Sequence, residues 1–394
     1  MIKTNDLSEI RESINEVDQS LAQLFEKRME LVALVAEYKI ENDIPILNSE
    51  REKQVIDRAL ESLRDKSLSR EMEIFFNELM AISREYQSRY IDEKLVSQTR
   101  RCGEASGSNV WGINALASRE TKNPKIGFQG VEGSFSEEAL LNYFGKEAVT
   151  SSFRLFEDVF KAIDAGDIDY GILPIENSST GSVNEVYDLL RKYGCHINGE
   201  IVLKVKQNLL GVKGARMEDI KEVYSHSQGF QQSAEFFKEH PSWKLIPYHN
   251  TALGAKLVSE AGDISRAAVA SERAAAIYGL DILKENLNFN SKNYTRFVIV
   301  GKDLELDESS DKISVVLTVR HKAGSLCDVL RLFSQEGLNL LKIESRPIMD
   351  KSWEYFFHLD FEGNLQDPHV SRIMDQIRSR TTYFKILGNY RRHR

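Results

Sequence analysis

Arg28 and Lys39 stand eleven residues apart in a stretch whose apolar positions are Leu7, Ile10, Ile14, Val17, Leu21, Leu24, Leu31, Val35 and Tyr38. On an α-helix the two cations share one face to within about 20°, and their Cα atoms are roughly 16 Å apart. A cation in an apolar seam is costly unless something anionic meets it. A lone Arg28 reads most simply as a snorkelling side chain. With Lys39 on the same face, the pair can converge on one small dicarboxylate. Arg11 lies seventeen residues before Arg28, roughly 25 Å along the helix, too far to share a small pocket in one chain. An antiparallel partner helix removes that difficulty, so the spacing predicts a homodimer in which Arg11 enters the other chain's site.

Other polar clusters follow short strand-like or helical runs. Arg51-Glu52 open a second helix, and Ser83 and Gln87 are an i,i+4 pair on a third. Further on, Gly133-Ser134-Phe135-Ser136, Pro174-Ile175-Glu176-Asn177-Ser178, Ser225-His226-Ser227-Gln228 and Asn293-Tyr294-Thr295-Arg296-Phe297 sit at the ends of apolar runs. Ligands bind at strand ends in open α/β sheets. Ser134-x-x-Glu137 and Ser182-x-x-Glu185 have capping-box spacing, and a strand, a Gly-containing loop and a capped helix form an anion cradle. The G-x-G-x-x-G dinucleotide spacing is absent. Arg296 reads either as a surface charge or as a carboxylate clamp.

Three segments must position these residues. Residues 6–91 hold no Gly and one Pro, Pro45, and their three-four periodicity predicts an all-α segment of three helices. Residues 92–123, with Gly103, Gly107 and Gly112 among polar residues, read as a linker. From Lys125 to about Gly301, strands alternate with helices, the pattern of an α/β segment. An acidic spacer, Asp303 to Asp311, precedes a strand-helix-strand-strand-helix-strand order over 312–390, that of a ferredoxin-like α+β sandwich. The expected domains are therefore 1–91, 124–302 and 312–394.

The 394 residues are too many for one ordinary core. Apolar residues make up 41% and charged residues 28%, an ordinary globular composition. A net charge of −8 argues against a nucleic-acid surface but not against anionic small molecules. Cys102, Cys195 and Cys327 are few and scattered, which speaks against a disulfide framework or a structural metal site and for a reducing compartment. No stretch approaches the ~20 apolar residues of a membrane span, and Met1–Asp6 lead into a charged helix. A cytoplasmic protein without metal or cofactor is expected.

On Arg11, Arg28, Lys39, Arg51-Glu52 and Ser83-x-x-x-Gln87, residues 6–90 resemble the all-helical chorismate mutases. The resemblance implies that Arg11, Arg28 and Arg51 hold the substrate carboxylates. It places Lys39 and Gln87 at the breaking ether oxygen, and Glu52, Ser83 and Asn48 at the ring hydroxyl. Asn48 stands where that family commonly has Asp. A Claisen rearrangement needs only a held conformer and positive charge where the oxygen gains electron density, which suits cations on rigid helices.

Residues 124–301 resemble the prephenate dehydratases through four ordered motifs: Gly133-Ser134-Phe135-Ser136, Pro174–Ser178, Ser225–Gln228 and Thr295–Phe297. Thr251-Ala252 matches too. Ser134 replaces the usual Thr, and Gly229-Phe230 the usual Ala-Leu. The resemblance implies two α/β lobes, like those of periplasmic binding proteins, with the site between them. It implies Thr295 as the central catalytic group, Glu176 as an alternative proton source, and Ser134, Asn177, Ser178, Ser227, Thr251, Arg296 and Phe297 as substrate contacts. Gly324-Ser325-Leu326 and Glu344-Ser345-Arg346-Pro347 resemble the phenylalanine-binding ACT domain, with Ser325 in place of Ala. Gly324, Ser325, Leu326, Glu344, Ser345 and Arg346 would then hold L-phenylalanine between paired chains. The implied whole is a homodimer or dimer of dimers that turns chorismate into prephenate and prephenate into phenylpyruvate, with phenylalanine as feedback inhibitor. Two alternatives stay open: a dehydratase whose degenerate mutase segment serves only dimerisation, and a non-catalytic amino-acid-binding regulator.

Overall fold

A computed structural model describes residues 7–42, 44, 48–99, 115–117, 123–288, 292–348 and 353–393. Pro45, the linker glycines and Cys102 lie outside the described residues. The chain divides into two compact units, residues 1–108 and 109–394.

The first unit is helical: α1 (Leu7–Glu41), α2 (Ser49–Ser62), a 3₁₀ turn (Lys66–Leu68) and α3 (Ser69–Thr99). Asn48 caps α2, its side chain accepting from the Arg51 amide at 3.0 Å, the usual service of Asn at a helix start. The packed face of α1 carries Met29 and Val32, which meet Leu79 and Met80 of α3, and the fully buried Ala36. The seam read from the sequence is different. Ile14, Val17, Leu21, Leu24, Leu31, Val35 and Tyr38 are all exposed within one chain. An apolar stripe of that length on a surface helix is unusual for a monomer. The third helix also runs eight residues past its expected end at 91.

The second unit begins with β1 (Ala115–Ala117). A first lobe holds β2 (Lys125–Gln129), α4 (Phe135–Phe144), β3 (Val149–Phe153), α5 (Phe156–Ala165), β4 (Tyr170–Asn177), β5 (Gly181–Ser182), α6 (Asn184–Lys192) and β6 (His196–Lys204). The second lobe is an insertion: β7 (Asn208–Gly211), β8 (Glu222–Ser225), α7 (Ser227–Gln232), α8 (Ala234–Lys238), β9 (Lys244–Pro247), α9 (Thr251–Ala261), β10 (Arg266–Ala270), α10 (Glu272–Tyr278) and β11 (Asp281–Lys284). The chain returns to the first lobe with β12 (Tyr294–Gly301) and β13 (Leu304–Leu306). Last come β14 (Lys312–Thr318), α11 (Ser325–Gln335), β15 (Leu340–Pro347), β16 (Tyr355–Glu362), α12 (Pro368–Arg380) and β17 (Tyr383–Tyr390).

The second lobe has its own five-stranded sheet, β11-β7-β10-β8-β9. In the first lobe β12 lies antiparallel between β4 and β6. The C-terminal strands, ordered β15-β16-β14-β17, extend this sheet rather than standing apart. The join is one close approach of Gly388 to Ile197, where a Cβ on Gly388 would collide with the Ile197 carbonyl. Val316, Leu387 and Tyr390 accordingly share a core with Val298, Leu189 and Leu190. The expected linker and acidic spacer also meet: Ala115–Ala117 pair in parallel with Leu304–Leu306. A three-residue strand carries too little periodicity to be read from sequence.

Two buried imidazoles flank this shared core, His196 of β6 and His358 of β16. His358 packs against Tyr187 of α6, the rings tilted by 59° with 4.7 Å between their centres. Burial, only partly offset by Asp360, pushes its pKa down to about 4 from 6.5. The unfolded imidazole takes its proton near 6.5 and the folded one only near 4. The associated stability is therefore fully present above pH 6.5 and is lost as pH falls toward 4, by about 3 kcal/mol at most. Thermal melts of the second unit should fall over that window, and His358→Gln should remove about half of the decline, because burial also pushes His196 down to about 4. An equally steep decline in the variant would remove His358 as its cause.

Candidate active sites

In the helical unit, side-chain pairs bridge the helices, among them Tyr90 donating to Glu37 at 2.6 Å. The Arg28 guanidinium donates to the Ser83 hydroxyl, and its other amino group lies 3.7 Å from the Met80 sulfur. Lys39 Nζ donates to Gln87 Oε1 at 3.1 Å, while Gln87 Nε2 donates to the Ser83 carbonyl at 3.2 Å. Arg84 pairs with Glu52. Ser83 and Gln87 are buried, 3% and 7% exposed. No carboxylate pairs with Arg28 among the described residues, and burial holds its pKa below the usual value. Burial lowers the pKa of Lys39 as well, and the Glu52 carboxylate works against that. The cluster thus presents two cations, Arg28 and Lys39, beside the buried Ser83 and Gln87, an environment that favours an anion.

Arg28, Lys39, Glu52, Ser83 and Gln87 are brought to this cluster. Arg11 and Arg51 are exposed, and no hydrogen bond joins either side chain to the cluster among the described residues. Asn48 spends its Oδ1 on the cap. Arg84 was not singled out from the sequence. Its only signal there is the charge opposite to Glu52, which any surface Arg would share.

In the second unit a cavity of about 410 Å³ lies between the two lobes. The first lobe contributes Ser134, Asn177, Thr295 and Phe297; the second contributes His226, Gln228 and Thr251. Ser134 caps α4. Glu137 reaches back past the cap and accepts from the Gly133 amide at 2.7 Å, so the capping box expected at Ser134-x-x-Glu137 is not closed. Asn250 caps α9, accepting from the Leu253 amide at 2.7 Å. The amides of Phe135, Ser136, Thr251 and Ala252 thus lie in first turns that the helices themselves cannot satisfy. They are donors in the positive end of a helix dipole. Gly133 is needed here, since its φ of +84° is left-handed and a Cβ would press on Ala274 at 3.0 Å.

Asn177 is the hub of the wall. Its Nδ2 donates to Thr295 Oγ1 at 2.9 Å and to Asn293 Oδ1 at 2.8 Å. Its Oδ1 accepts from the Ser179 and Thr180 amides at 2.9 and 3.1 Å. Because Thr295 Oγ1 accepts from Asn177, its own hydrogen remains to be donated elsewhere. Across the cleft, His226 Nδ1 accepts from the Gln228 amide at 3.3 Å, and burial lowers its pKa. A neutral ring whose Nδ1 accepts carries its proton on Nε2. Among the described residues the bonds that tie the lobes include Gln228 Nε2 to Thr180 Oγ1 at 2.6 Å, Arg273 to Glu137 at 2.8 Å, the Ser271 hydroxyl to the Gly133 carbonyl at 2.9 Å and the Tyr278 hydroxyl to the Glu132 carbonyl at 2.7 Å.

Four sequence expectations are corrected here. Arg296 and Glu176 do not line the cavity. Successive strand residues face opposite sides, so with Thr295 and Phe297 toward the cleft, Arg296 turns to the far face. There it meets Glu176, Glu200 and Asp360 at 3.2, 3.2 and 2.8 Å. Glu176 pairs with Lys342 as well, at 3.0 Å. A bulge in β4 opposite Arg296 and Phe297 places both Pro174 and Asn177 on the cleft. Ser178 is taken up by the backbone, donating to the Lys292 carbonyl and accepting from the Tyr294 amide, both at 2.9 Å. Ser227 is exposed and off the cavity wall. Among the described residues lining the cavity none is Lys or Arg, so anions there meet helix ends rather than side-chain cations.

Gln207, Gln232 and Asn250 also line the cavity and were missed. Gln232 follows Gln228 by four residues, a helical spacing the sequence did offer. In the C-terminal strands, Glu344 accepts from Ser182 at 2.5 Å and Arg346 pairs with Asp188 at 2.8 Å. Ser345 points to the other side and is exposed. Gly324 and Ser325 sit at the start of α11, and Leu326 borders a separate cavity with Trp353. One chain does not gather these six residues.

Known proteins resemble this chain throughout. A prephenate dehydratase family model matches residues 126–305, and a chorismate mutase type II model matches residues 10–88. The bifunctional chorismate mutase/prephenate dehydratase of Buchnera aphidicola subsp. Acyrthosiphon pisum (strain APS) is 30% identical over 99% of this chain and 97% of its own. A solved prephenate dehydratase from Arthrobacter aurescens in complex with L-Phe covers 68% of this chain and 90% of its own, with 29% identity and a TM-score of 0.63. GqqA, described as a novel type of quorum quenching acylase, covers 68% and 98%, with 27% identity and a TM-score of 0.63.

Proposed function

The chain belongs to the family of bifunctional chorismate mutase/prephenate dehydratases, and we propose how its residues divide the work of phenylalanine biosynthesis. The protein converts chorismate to prephenate and prephenate to phenylpyruvate. The observation that carries our assignment of roles is that each unit holds its own polar site, one rich in cations and one lined by helix ends.

In the helical unit, Arg28 holds a carboxylate of chorismate, with Arg51 closing over it. Lys39 and Gln87 face the ether oxygen, and Glu52 and Ser83 take the ring hydroxyl. No proton needs to move; the site selects the reactive conformer and stabilises the charge that develops as the C–O bond breaks. In the second unit, the first-turn amides of α4 and α9 receive the carboxylates of prephenate. The Thr295 hydroxyl donates to the departing oxygen, and the neutral His226 supplies a second donor on the opposite wall. Pro174 and Phe297 keep part of the cleft dry, which favours loss of a carboxylate as uncharged carbon dioxide.

We assign 1–91 to the mutase domain, 92–123 to the linker, 124–302 to the dehydratase domain and 312–394 to a ferredoxin-like ACT domain. The strand and helix order of that last segment supports the reading, as does the L-Phe held by the Arthrobacter relative. Phenylalanine held between two chains would inhibit by binding one of two arrangements more tightly. No described helix is long and apolar enough to cross a membrane; the proposed compartment is the cytoplasm.

The exposed stripe of α1 is read as the contact with a second copy, whose Arg11 completes the site. Ile14→Glu with Leu21→Glu should weaken self-association and lower mutase kcat/KM by at least about tenfold, with the dehydratase spared. Sedimentation alongside both assays checks this; an unchanged assembly with full mutase activity would sink it. The overall test feeds chorismate, follows prephenate and phenylpyruvate separately, and repeats the run with added phenylalanine.

A further inference from the structure

The far face of β4 and β12 carries a layer of charges beneath the Thr295–Asn177 pair. In the register of the two strands Thr295 lies opposite Asn177, and Arg296 opposite Glu176. The residues facing the cleft and those facing the charges are thus immediate neighbours along both strands. Arg296 Nη1 reaches Asp360 of β16 at 2.8 Å and Glu200 of β6 at 3.2 Å. Lys312 of β14 lies 2.8 Å from Glu200 and 3.7 Å from Asp360. Ser314 donates to the other Asp360 oxygen at 2.6 Å. Lys342 of β15 joins Glu176 at 3.0 Å. Three cations meet three carboxylates, and Glu200, Lys312 and Asp360 are buried.

Such a layer is a poor source of stability, because desolvation consumes most of the attraction. It is a good source of fixed geometry, because each charge has few positions in which all its partners are satisfied. Burial opposes the charge on Arg296, yet Asp360 and the surrounding acids outweigh it and hold the guanidinium firmly protonated. Of the three carboxylates that Arg296 meets, Glu176, Glu200 and Asp360, the last is the one that comes from the C-terminal strands. Asp360 accepts from Arg296 and Ser314, and the Lys312 ammonium lies 3.7 Å away.

We propose that Asp360 is a positioning residue for the dehydration step: it fixes Arg296, and through the backbone of β12 it fixes the Thr295 hydroxyl that Asn177 orients. This rests on the reading of Thr295 as the group that assists the departing oxygen. The C-terminal strands then complete the dehydratase even with no effector bound, and Lys342 offers them a second grip, on the strand that carries Asn177. A displacement of about 1 Å at a reacting group costs up to about a hundredfold in rate, so small shifts of Arg296 suffice.

The test uses the full chain with both assays. Asp360→Asn should lower dehydratase kcat by about ten- to a hundredfold with KM within about threefold, while mutase kcat stays unchanged. Asp360→Asn with Lys312→Met restores the charge balance but not the anchor. Its kcat should stay low, and recovery to the wild-type value would reduce Asp360 to charge balance and overturn the proposal. Should Asp360→Asn not fold, Ser314→Ala removes one donor from Asp360 and keeps every charge; a several-fold loss of kcat at constant KM supports positioning, and full kcat overturns it. Thr295→Val run in parallel separates the two claims. If Thr295→Val retains dehydration, the reading of Thr295 fails. If Thr295→Val is inactive and Asp360→Asn is as active as wild type, the present inference alone fails.

Discussion

Lys39→Ala should cost chorismate rearrangement about two to three orders of magnitude in kcat, the usual loss when one preorganised donor to a developing oxyanion is removed. The same protein given prephenate should make phenylpyruvate at the wild-type rate. Lys39 lies near the end of α1, half-buried, with its ammonium 3.1 Å from Gln87 Oε1. Alanine is the better helix former, so the helix has no reason to unwind. What disappears is the cation on the Gln87 side of the cluster, whereas Arg28, held by Ser83, remains to bind a carboxylate. The loss should therefore fall on kcat more than on KM. Chorismate disappearance measures one activity and phenylpyruvate formation from supplied prephenate measures the other. Equal mutase rates in Lys39→Ala and wild type would leave the helical unit as a dimerisation module only.

The sequence located most elements and misjudged several directions. The period of α1 was plain, but a period says only that a face is apolar, not what covers it. The stripe through Ile14, Leu21 and Val35 is bare in one chain, while Met29 and Val32 make the contact with α3. That Arg28 shares a face with Lys39, and Ser83 with Gln87, was legible because a helix has a fixed angular step; that the two pairs meet was implied only by the resemblance. The dehydratase wall was harder. Thr295-Arg296-Phe297 reads as one motif, yet a strand sends its neighbours to opposite faces, and Arg296 went to the charge layer. Pro174 and Asn177 share the cleft only because of a bulge, which nothing in Pro-Ile-Glu-Asn-Ser announces. The join at Gly388 and the pairing of residues 115–117 with 304–306 depend on chain segments far apart in sequence, and short strands carry no pattern that names their partners.

Thr295→Val keeps the shape of the side chain and its β-branching, both suited to a buried strand position, and removes only the hydroxyl. Dehydratase kcat should fall by about two to three orders of magnitude, and the mutase should not change. Two losses coincide. The donor to the departing oxygen is gone, and Asn177 Nδ2 loses the acceptor that it holds at 2.9 Å. The second loss is softened, because Asn177 keeps Asn293 Oδ1 and the Tyr294 carbonyl at 2.8 and 3.1 Å. The wall therefore stays in place, and the defect reports the hydroxyl itself. Thr295→Ser restores the hydroxyl with a freer rotor and should recover most of the rate. Asn177→Ala should do the reverse, leaving the hydroxyl present but unaimed, with an intermediate loss and a weakened turn at Ser179 and Thr180, whose amides it caps. A directed hydroxyl requires kcat to fall in the order wild type, Thr295→Ser, Asn177→Ala, Thr295→Val. If Thr295→Val turned over prephenate as fast as Thr295→Ser, the hydroxyl would have no part in the reaction, and the departing oxygen would have to be served from the His226 side of the cleft.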